Sequence, residues 1–139
     1  LEEEQRRQAQ GRVEVILGHG VDLVEVARIA RSVERFGDRF LERVFTQAER
    51  AYAGDGPRRH EHLAARFAAK EAVFKALGTG WGQGIGWADI EVARNASGKP
   101  TIVLHGRATD LAFRIGVKWW HLSLTHTRGL AMASVIAEG

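Results

Sequence analysis

Asp22, Arg66, Lys70, Glu71, Lys75 and His126 are the side chains of this sequence whose types and spacing could do chemistry. Arg66 and Lys70 are four residues apart, as are Glu71 and Lys75, and Asp22 closes the run Gly18-His19-Gly20-Val21-Asp22. A Mg²⁺ ion needs only one or two carboxylates, because water and substrate phosphate oxygens fill its other positions. Glu71 and Asp22 could be that pair, with the two glycines letting backbone and ligand approach closely. Each residue also has a plainer reading. Asp22 could cap a helix beginning just after it, and Glu71 with Lys75 could be an ordinary pair at four-residue spacing. Spacing alone favours the plainer reading of both.

These residues need elements to position them. Alternation from Val13 to Asp22 predicts a strand. Val26, Ile29, Val33 and Phe36 recur at helical spacing, so a helix spans about Val24 to Phe36 and stops at Gly37. Thr46-Gln47-Ala48-Glu49 has the spacing of a capping box and starts a short helix ending at Gly54. A long helix runs from about Glu61 to Leu77. Leu63, Phe67, Val73, Phe74 and Leu77 share one face, and Ala64, Ala65, Ala68, Ala69, Ala72 and Ala76 the opposite one. Such a back is either covered by another element or subunit, or is a simple exposed alanine face. Arg66 and Lys70 fall among the large apolar residues, where charges are rarely buried without partners.

Five glycines between Gly78 and Gly86 make that stretch irregular. It matches neither a Walker loop nor a dinucleotide fingerprint. A phosphate nest is possible there, but a plain C-cap at Gly78 is the commoner outcome. Ile90–Arg94 and Thr101–Leu104 read as strands joined at Asn95-Ala96-Ser97-Gly98, and Thr109–Ile115 as a short helix. Trp119–Thr125 and Leu130–Ile136 form a hairpin about His126-Thr127-Arg128-Gly129. Helices mixed with antiparallel pairs make the class α+β. Arg28, Arg31 and Arg35 form a narrow stripe on the first helix, suited to carboxylates or phosphates of a partner, although most such stripes are simply solvated. No Gly-x-Ser-x-Gly elbow marks Ser123 as a nucleophile.

The whole chain of 139 residues suits one domain. Residues 1–12 read as a frayed, flexible extension, and 13–139 as the domain. Without cysteine there is neither a disulfide framework nor a thiolate zinc site. No apolar run reaches membrane-spanning length, and the charged opening lacks a signal-peptide pattern, so a cytoplasmic protein is expected. The net charge of +3 fits a phosphate- or carboxylate-bearing partner without choosing one. An RNA-binding module would want exposed aromatics among basic residues, and only Lys118-Trp119-Trp120 offers them. A Mg²⁺ nucleotide hydrolase is a third reading.

Three stretches decide among these. Gly18-His19-Gly20-Val21-Asp22-Leu23, the run from Arg66-Phe67-Ala68-Ala69-Lys70-Glu71 to Gly78-Thr79-Gly80, and Leu122-Ser123-Leu124-Thr125-His126-Thr127 resemble, in this order, motifs of the holo-acyl-carrier-protein synthase family of phosphopantetheinyl transferases. The likeness spans about Val15 to Ile136, and the second motif is highly specific. His19 stands where the family often carries Ile or Leu.

The resemblance implies the 4′-phosphopantetheinyl transferase-like fold, with a small antiparallel sheet packed on a long central helix. It implies Mg²⁺ on Asp22 and Glu71, Lys75 at the diphosphate, and Arg66, Lys70 and Gly78 near the coenzyme. His126 would lie near the 3′-phosphate end of coenzyme A. Arg28, with Arg31 and Arg35, would dock an acidic acyl carrier protein. The activity implied is transfer of 4′-phosphopantetheine to a carrier serine in support of fatty acid biosynthesis, with Glu71 and Lys75 catalytic. It further implies a homotrimer with sites between subunits, using the alanine face, and no nucleic-acid or membrane partner.

Overall fold

A computed structural model describes Glu2, residues 15–78 and residues 84–139. The expected extension at 1–12, apart from Glu2, and the middle of the glycine stretch lie outside the described residues. Strand β1 (Ile16–Glu25) leads into helix α1 (Val26–Phe36), then α2 (Asp38–Val44), α3 (Gln47–Ala53) and the long α4 (Arg59–Leu77). A 3₁₀ turn at Trp87–Asp89 precedes the ribbon β2 (Ile90–Arg94) and β3 (Pro100–Leu104). Helix α5 (Gly106–Ile115) and strands β4 (Trp119–His126) and β5 (Leu130–Glu138) complete the chain. β5 is the middle strand of an antiparallel sheet ordered β1-β5-β4, while β2 and β3 pair separately.

The sheet lies on α4, and two glycines set how closely. A Cβ on Gly18 would stand 1.9 Å from the Ala76 carbonyl oxygen, and one on Gly20 would stand 1.8 Å from that of Ala72. Two strand residues advance about 6.7 Å and four helical residues about 6 Å. Glycines two apart on β1 therefore meet alanines four apart on α4. The same progression carries Asp22 to the level of the helical turn that holds Glu71.

This packing answers the question of the alanine face. Ala64, Ala65, Ala68, Ala69, Ala72 and Ala76 are all buried inside the chain, against Ala131, Ala133, Val135 and Ala137 in the same core. Using that face between subunits is thereby corrected, since it has no surface left to offer. Apolar surface does remain open on the other side of the sheet, where Val21, Leu23, Leu130 and Met132 are exposed. α4 is enclosed nearly all round; Glu71 is half-buried and Lys75 exposed on its flank. Leu63 and Val73 are buried on its other side, where Phe67 and Phe74 pack on Trp87, the first stacked and the second edge-on.

Several elements differ from expectation: α4 starts at Arg59, α5 at Gly106, and β4 and β5 run on to His126 and Glu138, while the departures early in the chain have local reasons. β1 continues to Glu25, because Leu23, Val24 and Glu25 keep pairing with Met132, Ala131 and Leu130. α1 accordingly starts at Val26, and Glu25 at its N-cap makes no side-chain cap bond. Asp22 is thus a mid-strand residue, and the capping role that spacing favours for it is corrected. After Gly37 turns the chain (φ 57, ψ −133), α2 forms where the periodicity predicts no element; it buries Leu41 and Val44. The Thr46–Glu49 capping box and the C-cap at Gly78 form as expected.

Candidate active site

The sheet brings Asp22 and α4 brings Glu71 and Lys75 to one corner. Asp22 lies on the face of β1 shared with Gly18, Gly20 and Val24, which is the face turned to α4. Lys75 Nζ donates to Asp22 Oδ1 (3.2 Å) and to the Val21 carbonyl (2.8 Å). The Glu71–Lys75 pair that spacing favours is replaced by this cross-link between strand and helix. Burial raises the Glu71 pKa above the ordinary carboxylate value, and the charge of Asp22 raises it further. Arg28 and Lys75 oppose that shift, so Arg28 stands within electrostatic reach of Glu71, with its guanidinium 5.5 Å from the centre of the Phe67 ring.

Among the described residues, no group of three or more His, Cys, Asp or Glu side chains gathers as a metal cluster. The corner instead holds two carboxylates within electrostatic reach of one another, beside a lysine side chain that is 54% exposed. That donor set fits a hard cation with few protein ligands, leaving its other positions to water and phosphate.

Lys70 is somewhere else entirely. Its side chain is fully buried and its ammonium donates to Glu49 Oε1 at 2.7 Å. It also donates to the Trp87 carbonyl at 3.2 Å and to the Ile90 carbonyl. All three N–H groups are then used inside the chain. Burial depresses the Lys70 pKa, and the Glu49 charge works against that. Glu49 also accepts from the Thr46 and Val92 amides, at 2.9 and 3.0 Å. One buried ion pair therefore ties α3, α4 and β2 together, and the expected place of Lys70 beside a coenzyme is corrected. Gly78 departs likewise. In the left-handed conformation its N–H is directed to the Lys75 and Phe74 carbonyls, closing the helix, and is not turned out towards a phosphate.

Arg66 and His126 meet at a second place. Arg66 precedes Glu71 on α4 by five residues, which puts it about 140° round the helix. Its Nη1 donates to the His62 carbonyl at 3.2 Å, and its guanidinium lies 4.1 Å from the centre of the Tyr52 ring. Arg94 lies over the same ring at 4.6 Å. His62 packs edge-on between Tyr52 (5.2 Å) and His126 (5.9 Å). His126 is exposed at the end of β4 and lines an open cleft with Arg58, His60 and Arg128. No motif points to Tyr52, His62 or Arg94, nor to Glu49 as a lysine partner. The spacing His62-Arg66-Lys70, four by four, is the one available signal.

Arg28, Arg31 and Arg35 are all exposed on α1 and line one cleft with Ser32, Glu34 and Phe36. An apolar groove between Phe36, Arg39, Phe40 and Arg43 continues it onto α2.

Comparison with known proteins gives this geometry its context. Residues 18–133 match the model of the 4′-phosphopantetheinyl transferase superfamily. A holo-[acyl-carrier-protein] synthase of Solibacter usitatus is 54% identical over 124 residues, covering 89% of this chain and 99% of the relative. One from Koribacter versatilis is 52% identical over the same shares. The crystal structure of the Neisseria meningitidis holo-[acyl-carrier-protein] synthase superposes with a TM-score of 0.82 at 32% identity, covering 90% of this chain and all of that one. The Bacillus anthracis synthase in complex with CoA (3′,5′-ADP) superposes at 0.73 with 37% identity, covering 89% and 97%. The chain belongs to the 4′-phosphopantetheinyl transferase superfamily, with holo-[acyl-carrier-protein] synthases as its relatives over nearly the whole described fold.

Proposed function

We propose that this enzyme transfers the 4′-phosphopantetheine arm of coenzyme A to a serine of apo acyl carrier protein, releasing adenosine 3′,5′-bisphosphate, with Mg²⁺ held by Asp22 and Glu71. The convergence of Asp22, Glu71 and Lys75 on one open corner carries the reading, in a chain whose relatives bear that activity in their names. Mg²⁺, when bound, supplies charge neutralisation at the diphosphate. Lys75 stabilises the charge that grows on the leaving group. Its present bond to Asp22 keeps the ammonium at the corner. The attacking hydroxyl comes from the carrier serine, which accounts for the lack of a nucleophile motif. Glu71 accepts that proton, and its raised pKa suits a base.

Arg28, Arg31 and Arg35 dock the acidic carrier. Arg66 and His126 hold the 3′-phosphate end of coenzyme A. Because those two lie on another side of α4, a coenzyme touching both groups would take them from two copies. That supports a homotrimer with sites between subunits, assembled through the exposed sheet face rather than the alanines. A cytoplasmic setting and a role in fatty acid biosynthesis accompany these substrates. Incubating the protein with apo carrier protein, coenzyme A and Mg²⁺ tests the reading by the pantetheine mass on the serine; no added mass with several carriers would end it.

A further inference from the structure

The second cluster is built for an anion, and it carries a residue that the activity alone does not require. Two guanidiniums, Arg66 and Arg94, lie over Tyr52, and two imidazoles, His62 and His126, follow in edge-on contact. No carboxylate is in ion-pair contact with either arginine among the described residues. Arg66 is 2% exposed, and its Nε is buried without a hydrogen-bond partner there. Arg66 Nη1 is satisfied by the His62 carbonyl, and Glu49 and Tyr52 offset part of the burial of the charge. A buried cationic donor such as Nε, left without a partner, is costly unless an anion completes it.

We propose that His62 is a positioning residue for coenzyme A, forming with His126 an imidazole pair that takes up a proton when the coenzyme's terminal phosphate monoester binds beside Arg66. This rests on the coenzyme A reading above. The groups facing His62 fix the direction of the effect. Arg66 and Glu61 lie on its own helix, His126 faces it from β4, Arg94 from β2 and Tyr52 from α3. Burial and then Arg66, His126 and Arg94 hold its pKa below the ordinary histidine value, and only Glu61 opposes them. Free His62 is therefore neutral near pH 7.5. A phosphate dianion reverses the sign of the local field and favours imidazolium. A proton from solvent then goes to a ring nitrogen of the pair, and no covalent bond changes. The second imidazole orients the ring that meets the phosphate.

Calorimetry on the full chain with Mg²⁺ tests this at pH 7.5, in two buffers of different ionisation enthalpy. Coenzyme A should bind with net proton uptake, and dephospho-coenzyme A, which lacks the terminal phosphate, should show little. In His62→Phe, which keeps an aromatic ring, most of the uptake should vanish. The wild-type Kd should tighten as pH falls from 8 to 6.5, by at most about tenfold per unit for one proton, and the variant's slope should be flatter. Comparing variant with wild type removes the phosphate's own proton equilibrium. His62→Gln serves the same purpose if the phenylalanine variant does not fold. Equal uptake in wild type and a folded variant, or equal uptake with both ligands, would overturn the proposal while leaving the transfer reading intact. No binding of coenzyme A to the wild type would overturn both.

Discussion

Lys75 and Asp22 are 53 positions apart in the sequence, yet Nζ and Oδ1 lie 3.2 Å apart. The contact exists because β1 lies on α4 at glycine distance. It places a cation and two carboxylates where strand and helix meet, and the proposed chemistry depends on that meeting point.

Gly20→Ala should break that geometry. The new Cβ would meet the Ala72 carbonyl oxygen at 1.8 Å, a backbone atom that cannot swing aside. Overpacking of this kind costs about 1–3 kcal/mol or more. Urea unfolding should show the loss, and transfer should fall even at temperatures where the variant is folded, because Asp22 moves with β1. An unchanged midpoint would mean the strand can lift off the helix freely.

Lys75→Met should lower transfer with little change in fold, since this side chain is half exposed. Losing one charge-stabilising donor costs on the order of 100-fold in kcat. Steady-state rates with saturating coenzyme A and carrier protein would check this. A rate within a factor of two of wild type would remove Lys75 from the chemistry.

Glu71 gives a pH signature. Its folded pKa is raised above the ordinary carboxylate value, so folding favours its protonated form. Its contribution to stability is fully present below the unfolded value of 4.5, and is lost as pH rises through the higher folded pKa. Glu71→Gln should therefore melt above wild type at pH 7–8 without Mg²⁺, with the gap closing towards pH 4. Thermal melts across that range would show it, and added Mg²⁺ should raise the wild type's Tm but not the variant's. A variant less stable than wild type at pH 8 would contradict the shift.

The buried pair predicts a stability effect without a direct chemical one. Lys70→Met removes the ion-pair partner of buried Glu49, a change worth about 3–5 kcal/mol. Chemical denaturation should show a loss of that order, and the Glu49→Gln, Lys70→Met double variant should recover part of it. Full stability in the single variant would mean the pair is not buried as described.

Legibility in the sequence tracks how local each signal is. The capping box at Thr46–Glu49, the αL stop at Gly78 and the alternation of β4 and β5 depend on neighbours, and they stand where expected. Asp22 reads as a cap from its neighbours alone, because its actual place is set by strand pairing with Ala133 and by a helix far along the chain. Lys70 misleads for a similar reason. Its partner Glu49 already has a local role in the capping box, and nothing local shows that one carboxylate serves both. The cluster of Tyr52, His62, Arg94 and His126 comes from four different elements, so spacing could link only His62 to Arg66 on α4 and not the rest.

The central claim is that Asp22, Glu71 and Lys75 form the transfer centre. Its most direct test is mass spectrometry of apo carrier protein after incubation with this enzyme, coenzyme A and Mg²⁺, for wild type and Asp22→Asn together. The wild type should convert the carrier serine to its phosphopantetheine ester, and the variant and a chelator-treated wild type should both fail to. Full conversion by Asp22→Asn, or none by the wild type, would contradict the account.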